Sequence, residues 1–541
     1  MWILAIALAF TGCGKSSPEA ETPPQPKRAF YRGYGFWFQD LVQRFQKAAN
    51  PAGQPKRYEL IRLSDFDPLA SELYQQTALM LSSVYPMTKL SFGARASEML
   101  QAVDVLVANT AWVEEFARNG WLAPFDENTL GPILRDAGVE PVRAAGKGDD
   151  AKSPKIYGIP ITRAADFLFY RKSYFKDANE ARHAWAEGIT KEFPPKVPAI
   201  IAADGQEFFR FFLPLVWSLE PGWPQQTNNT FVVNTPAART VLGAMRRAVR
   251  LTSWPSAANR MSFLVDLKEQ VKSFSGKPRP FEARRVEGPL TAPLATSWLL
   301  SVWAQRILIT AWGPPTPLTD VGIFPLSVST NAAAPGYSLR GGKCIVCSQQ
   351  IASSDPGAQA AREVVTELVR YLLSEPGQRT LFYDQFEIPA RQGLLKSLKD
   401  DDMAAVFGAR REWCDYDAYL NEVRTGARQM DERSRQLGRE TLVLLQEIEA
   451  ALGNPSRLSL QSAPLSINQT TQLDGFLHRV LAPTAGPVLG DTPPTDAAAI
   501  AEAERKFVET SLTELQILLE AEQRFIAAGT GTAGTRKASS P

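Results

Sequence analysis

The chain has 541 residues, of which 44% are hydrophobic, 10% aromatic and 21% charged. This is the balance of an ordinary globular protein, so a fibrous or wholly disordered chain is excluded. The 59 Lys and Arg residues nearly balance the 57 Asp and Glu residues, so nothing indicates a surface for nucleic acid. The two His residues, His183 and His478, and the four Cys residues leave little material for a zinc site or for His-based catalysis. We therefore expect no metal, no cofactor and no catalytic residues.

The amino end carries an apolar run, residues 1–12, that is too short to span a bilayer, which takes about 20 residues. The run ends in Phe10-Thr11-Gly12-Cys13, which resembles the lipobox of bacterial lipoproteins, in which the cysteine is acylated after cleavage. The alternative is a buried element with an incidental cysteine. We predict a lipoprotein signal peptide over 1–12, lipid attachment at Cys13 and a Pro-rich, disordered tether over 13–28.

The first predicted elements alternate between helix and strand. Apolar spacing predicts a helix over 35–50, and a buried strand over 102–108 runs through Asn109-Thr110 into a helix over 111–121. A strand, a polar turn and a helix make the βα unit of a parallel sheet. Further elements are strands over 155–162, 167–170 and 197–202 and helices over 206–217 and 236–251.

The middle of the chain holds its most apolar internal stretch, residues 290–304, which we predict to be a buried helix. Strands are predicted over 307–312 and 321–325, and an amphipathic helix over 356–374. Beyond about residue 396 the pattern predicts helices only. Two apolar stripes there are typical of core faces; they comprise Leu437, Leu444, Ile448 and Leu452, and Val508, Leu512, Leu515, Leu519 and Ile526.

Three cysteines remain if Cys13 is acylated. Cys344 and Cys347 have the spacing of half a zinc or redox site, but no second pair or nearby His completes it. Period two in a strand sends positions three apart to opposite faces, so core cysteines are the favoured interpretation. A disulfide from one of them to Cys414 stays open.

Four motifs follow one another in register. The first runs from Asp104 to Asp126. The others are Lys155–Thr162 with Leu168–Phe175, Ile309–Pro314 with Val321–Leu326, and Gly341-Gly342 with Leu373–Gln378 and Ile388–Arg391. Their order and spacing over residues 35–395 resemble the extracellular solute-binding proteins of ABC importers, family 1, the maltose- and sugar-binding group, here in lipoprotein form.

The resemblance implies an α/β fold with two lobes, the periplasmic-binding-protein type II or Venus-flytrap fold, with an enlarged all-helical C-terminal part. A ligand would bind in the cleft between the lobes, where strand and helix ends offer polar groups, and the lobes would close over it. The expected division is lobe 1 over 29–162 and 306–394, lobe 2 over 163–305 and 395–528 with a helical insertion at about 405–460, and a disordered tail over 529–541.

Two departures from the family pattern affect the expected site. Ala164 stands where the family has an acidic residue, and Asp166, on the same strand face, is expected to replace it. Lys343 stands where the family has Trp. The predicted ligand-binding residues are Trp37, Asn109, Thr110, Trp112, Arg163, Asp166, Trp223, Trp312 and Lys343. The alternatives are core positions for the rings and, for Asp166, a structural pair with Arg163 or Arg171.

The resemblance implies a monomeric binding protein that is not an enzyme. It would be held outside the cytoplasm, in the periplasm or at the cell surface, by a lipid on Cys13. Its partners would be a small solute, a sugar first, and the transmembrane subunits of an ABC permease. The alternatives are a tethered receptor that keeps the fold without serving transport and a carboxylate-pair glycosidase, for which no paired acids are evident.

Overall fold

The structure is a computed structural model that describes residues 25–32, 36–62, 103–150, 152–190, 199–201, 208–227, 230–251, 294–297, 318–329, 331, 334–385, 387–412, 416–481 and 497–532. Cys13, Cys414, Trp312 and the predicted strand over 307–312 lie outside the described residues, as does the side chain of Trp37.

The described elements are a mixture of strands and helices as far as residue 389 and are mostly helical beyond it. The strands are β1 Lys27–Arg32, β2 Tyr58–Arg62, β3 Val105–Asn109, β4 Leu122–Ala123, β5 Val142–Ala144, β6 Lys155–Pro160, β7 Thr162–Arg163, β8 Phe167–Arg171, β9 Ala199–Ile201, β10 Gln225–Thr227, β11 Thr230–Val232, β12 Leu294–Ser297, β13 Val321–Pro325, β14 Gly336–Leu339, β15 Lys343–Ser348, β16 Ile388–Pro389 and β17 Leu458–Gln461. The α-helices are α1 Phe36–Ala49, α2 Val113–Arg118, α3 Glu127–Ala137, α4 Ala178–Thr190, α5 Phe208–Leu219, α6 Pro236–Leu251, α7 Pro356–Leu373, α8 Glu375–Gln385, α9 Leu394–Ser397, α10 Asp400–Glu412, α11 Tyr416–Arg424, α12 Glu432–Leu452, α13 Ile467–Leu481 and α14 Ala497–Thr532.

The first sheet has the strand order β2-β1-β3-β15-β6-β5, with β4 also paired to β15. β15 runs antiparallel to both β3 and β6. Helices α1, α3 and α7 cover one face, and α2 packs on the other. The predicted helix at 35–50, strand at 102–108 and helix at 356–374 are confirmed to within a few residues.

The two cysteines of β15 pack on opposite faces of this sheet. Cys347 belongs to the core under α1 and α7, whereas Cys344 belongs to the core under α2. Both are buried free thiols, and burial raises the pKa of Cys344 to about 12. The prediction that these cysteines are core residues is confirmed for the described part of the chain.

The second sheet has the strand order β13-β8-β12-β9. β13 pairs along its length with β8, from Val321 beside Arg171 to Pro325 beside Phe167. The predicted boundary at residue 306 assigns β13 to the first lobe, whereas its hydrogen bonds place it in the second sheet. We propose that the chain returns to the first lobe near Gly341.

The buried helix predicted over 290–304 is wrong at Leu294–Ser297, which is strand β12. It is hydrogen-bonded to β8 on one side and β9 on the other. An apolar run of this length fits a buried strand or a buried helix equally well, and only the neighbouring strands decide between them.

The C-terminal helices pack on the second sheet. α9, α10 and α12 share a core with residues of β8 and β13, and α13 and α14 share another with α5 and α6. The predicted core stripes are confirmed at Leu444, Ile448, Val508, Leu512 and Leu519, all of which are buried.

Three predictions need correction, of which two concern the ends of elements. Helices are not the only elements beyond 396, because Leu458–Gln461 forms a parallel pair with β14. The predicted tether includes residues 27–28, which begin β1, and the predicted tail includes 529–532, which end α14. No described helix is long and apolar enough to cross a membrane.

The molecule therefore has an α/β fold of two lobes, each built on its own sheet, with an enlarged helical part at the C-terminal end of the second.

Candidate functional site between the lobes

Three described segments, 162–166, 338–343 and 387–393, connect the two lobes and lie side by side; we call them the crossing region. Thr162 and Arg163 form an antiparallel pair with Pro389 and Ile388. Ala164 forms an isolated bridge with Gly341. Short adjacent crossings of this kind allow two rigid lobes to rotate about a few backbone dihedrals.

Thr162 ties the three segments together through one hydroxyl. Its Oγ1 accepts a hydrogen bond from the backbone N–H of Lys343 at 2.9 Å and donates one to Glu387 Oε2 at 2.7 Å. Gly342 passes so close to Thr162 that a Cβ at this position would lie 2.3 Å from the Thr162 carbonyl oxygen. Its φ of +104° is also a conformation that side chains with a Cβ rarely adopt.

Two ion pairs lie on the crossing region. Lys343 pairs with Glu387, and both side chains are only about one-seventh exposed, at 15% and 13%. Arg163 Nη2 lies 2.9 Å from Glu449 Oε1 on α12, and its Nε donates to the Pro389 carbonyl. Burial lowers the pKa of Arg163, an effect that Glu449 opposes. Helix α12 thus contacts the crossing region directly.

Asp166 has a different environment from the predicted one, because the carboxylate has no exposed surface. Arg210 on α5 approaches it to 2.7 Å, and Ser338 Oγ accepts from its backbone N–H at 2.8 Å. Burial raises the pKa of Asp166 to about 6, although the Arg210 cation acts in the opposite direction. In this structure Asp166 is a buried structural partner of Arg210, and the expectation that it grips a solute needs correction.

The turn after β3 is built by the two polar residues that the sequence predicted there. Asn109 Oδ1 accepts from the Ala111 N–H at 2.9 Å, and Thr110 Oγ1 donates to the Gly342 carbonyl at 3.0 Å. Both residues are buried. They lie beside the crossing region as expected, but their side chains stabilise backbone.

Two of the predicted aromatic contacts lie in the hydrophobic cores. Trp112 is 1% exposed and packs beside Val113 and Phe116 under the first sheet. Trp223 is fully buried; its indole N–H donates to the Val233 carbonyl at 3.0 Å, and its ring packs edge-on against Phe212. Neither ring presents a face to the cleft in this structure, so both are corrected to core positions.

The structure thus brings Arg163, Lys343, Asn109 and Thr110 together at the crossing region. Sequence reasoning missed the acids that pair with the two cations, Glu387 and Glu449, because no local pattern links residues so far apart. Among the described residues, no group of three His, Cys, Asp or Glu side chains is placed to hold a metal ion.

This architecture is that of a two-lobed binding protein, and sequence comparison agrees. The profile of the bacterial extracellular solute-binding proteins matches residues 82–379, which is more than half of the chain. The chain belongs to this family. No curated protein sequence matches it.

Several solved structures are similar over nearly their whole length. The sugar-binding protein MalE of Xanthomonas citri is 15% identical, with a TM-score of 0.47 over 91% of this chain and 99% of that one. Maltose-bound MalE3 of T. maritima is 13% identical, with a TM-score of 0.43 over 91% and 100%. UgpB of Mycobacterium tuberculosis, in complex with glycerophosphocholine, is 14% identical, with a TM-score of 0.43 over 92% and 99%.

Proposed function

We propose that this protein is a membrane-anchored, extracytoplasmic solute-binding protein that captures a small solute in the cleft between its lobes and delivers it to an ABC permease. The solute class that we propose is an oligosaccharide or glycoside. The anchor is a lipid on Cys13.

The observation that carries this proposal is the crossing region. Each lobe has its own sheet and its own core, and adjacent short segments connect them. Such a connection permits a hinge motion, and a solute that contacts both lobes stabilises the closed state by the contacts it makes only there. A permease can then distinguish the loaded protein by its shape.

The proposed solute contacts combine rings and charges. Trp37 and Trp312 are the aromatic candidates, since an indole face stacks on the apolar C–H face of a sugar. Arg163 and Lys343 keep part of their side chains exposed, at 19% and 15%. As hydrogen-bond donors they suit hydroxyl groups, while Glu449 and Glu387 hold them in position.

A thermal-shift screen against saccharides tests the solute class. A solute at 100 times its dissociation constant is expected to stabilise the protein by about 2.7 kcal/mol, because it binds only the folded state. A response to another solute class and none to any sugar would refute the sugar assignment. No response to any class would favour a receptor that does not serve transport.

Trp312→Ala is expected to abolish binding of the solute found in that screen and to leave the unfolding midpoint of the solute-free protein nearly unchanged. The matched control is Trp223→Ala, which empties a buried core position and is expected to cost about 3 to 5 kcal/mol. Isothermal titration and urea unfolding measure the two effects. A large loss of stability in Trp312→Ala would assign that ring to the core.

Cys13→Ala is expected to release the protein from the membrane fraction, since the acyl chains would be the main source of its membrane affinity. Fractionation of cells that express each form, followed by mass spectrometry of the amino-terminal peptide, measures this. If the unmodified chain is already soluble and carries no lipid, the anchor is refuted.

A further inference from the structure

The segment Ser462–Ile467, which runs from the end of β17 to the first residue of α13, contacts the cores of both lobes; we call it the clamp segment. Leu465 is buried in the core of the second lobe. Ile467 is buried in the core under the first sheet, together with Trp112 and Phe116. Ala463, two residues before Leu465, packs against both cores. A single short segment therefore joins two hydrophobic cores that otherwise belong to separate lobes.

The clamp segment also forms hydrogen bonds with α2 of the first lobe. The backbone N–H of Ile467 donates to Glu115 Oε2 at 2.9 Å, and the Ser462 hydroxyl donates to Glu114. The Ile467 amide stands at the first position of α13, where a helix offers its N–H no partner of its own. The Glu115 carboxylate satisfies that N–H from the opposite lobe.

These contacts join the two lobes beside the point where β3 ends and α2 begins. Resting on the function proposed above, we propose that the clamp segment holds the lobes together in the solute-free protein, and that its release from α2 is the step that opens the cleft.

The Glu115 carboxylate makes this release sensitive to pH. Burial raises its pKa from an ordinary 4.5 to about 7, an effect that the Ile467 N–H and Arg118 oppose. The clamp segment itself, Ser-Ala-Pro-Leu-Ser-Ile, carries no titratable side chain. The other charged or titratable groups on α2 and on the strands it packs against include Glu114 and the buried thiol of Cys344. On β5 and β6 they are Arg143, which pairs with Glu127, Lys155, which pairs with Asp149, and Tyr157, which bonds to Asp149.

The clamped state is favoured at low pH, because Glu115 holds its proton more tightly there than in the open state. Release of the clamp segment would expose Glu115 to water and return its pKa toward the ordinary 4.5, so clamping would take up a proton. The stabilisation of the clamped state is complete below pH 4.5 and is lost as the pH rises through about 7. The open-to-clamped ratio is expected to rise about 30-fold from about pH 5.5 to about pH 8.5.

Hydrogen–deuterium exchange of the solute-free full chain tests the proposal. We expect the protection of the peptide that contains Ile467, corrected for intrinsic exchange rates, to fall about 30-fold over that pH range. In Glu115→Gln the amide still accepts the hydrogen bond but does not ionise, so protection should no longer depend on pH. The matched control Glu140→Gln, at an exposed position of the same lobe, should behave as the unmodified chain does.

Small-angle scattering separates opening of the lobes from local fraying of α13. Ile467→Ala removes the side chain that enters the first lobe, and it is expected to raise the solute-free radius of gyration at both pH values. Ser462→Ala is a milder variant that retains both cores, and it should raise the radius at the higher pH. The clamp is refuted if exchange is independent of pH in the unmodified chain, or if exchange changes while the radius of gyration stays constant in every variant.

Because no solute is used, these results are independent of the outcome of the saccharide screen.

Discussion

Replacing Gly342 with Ala is expected to destabilise the protein by about 4 kcal/mol or more. Two effects add at this position. A φ of +104° strains any residue with a Cβ, and the new methyl group would lie 2.3 Å from the Thr162 carbonyl oxygen and 3.0 Å from the Arg163 Cα. Both neighbours are backbone, so neither can rotate away. The crossing segments would have to separate, and Thr162 would lose its bond to the Lys343 amide.

Gly393→Ala is the matched control for this change. Gly393 also has a positive φ, +76°, but a Cβ there would meet nothing within 4 Å. Only the conformational cost remains, about 1 to 2 kcal/mol. Urea unfolding of both variants gives the comparison. Equal losses in the two variants would show that the crossing segments have room to move apart, contrary to the tight contact described here.

Replacing Asp166 with Asn is expected to cost about 3 to 5 kcal/mol, because it removes the negative charge that lies 2.7 Å from the buried Arg210 cation. The two side chains are 0% and 8% exposed, so water cannot compensate for the loss. Asp136→Asn is the control, since Asp136 also pairs with an arginine, Arg391, but is 77% exposed. Its substitution should change the free energy of unfolding little.

The double variant Asp166→Leu with Arg210→Met separates the charge effect from packing. Replacing both members of a buried ion pair by apolar groups of similar volume is often neutral or stabilising. Recovery of most of the stability lost in Asp166→Asn is therefore expected in urea unfolding. If Asp166→Asn costs no more than Asp136→Asn, the carboxylate is open to solvent and its assignment as a solute contact returns.

The sequence predicted those elements whose signal is local. The strand, Asn-Thr turn and helix from Val105 to Arg118 are visible in a short window because the apolar period changes at the turn. The alternation along β15 likewise predicted that Cys344 and Cys347 face opposite cores. The stripe of α14 was predictable because its period repeats over several turns.

What the sequence did not predict depends on partners far along the chain. β12 became a strand because β8 and β9 offer hydrogen bonds on both sides, and β17 because β14 lies beside it. Asp166 was expected to face a solute or to pair with a neighbouring arginine, yet its partner Arg210 is 44 residues away.

The aromatic contacts were the least predictable part of the site. A Trp at a strand end and a Trp in a core have the same sequence signature, since the ring is large and apolar with one donor. The structure placed Trp112 and Trp223 in cores because each is surrounded by side chains contributed by separate elements. The pairing of Glu387 and Glu449 with the two cations was equally invisible, because it depends on the geometry of the crossing region.

The place of β15 in the first sheet has a consequence for how the chain matures. This strand lies between β3 and β6 and joins them, yet residues 343–348 are synthesised well after both. The two halves of the first sheet cannot unite until most of the polypeptide has been made, and pairings over such sequence separations form slowly. The first lobe of a chain with this strand order is therefore completed late in synthesis, after the first strands of the second lobe have been made.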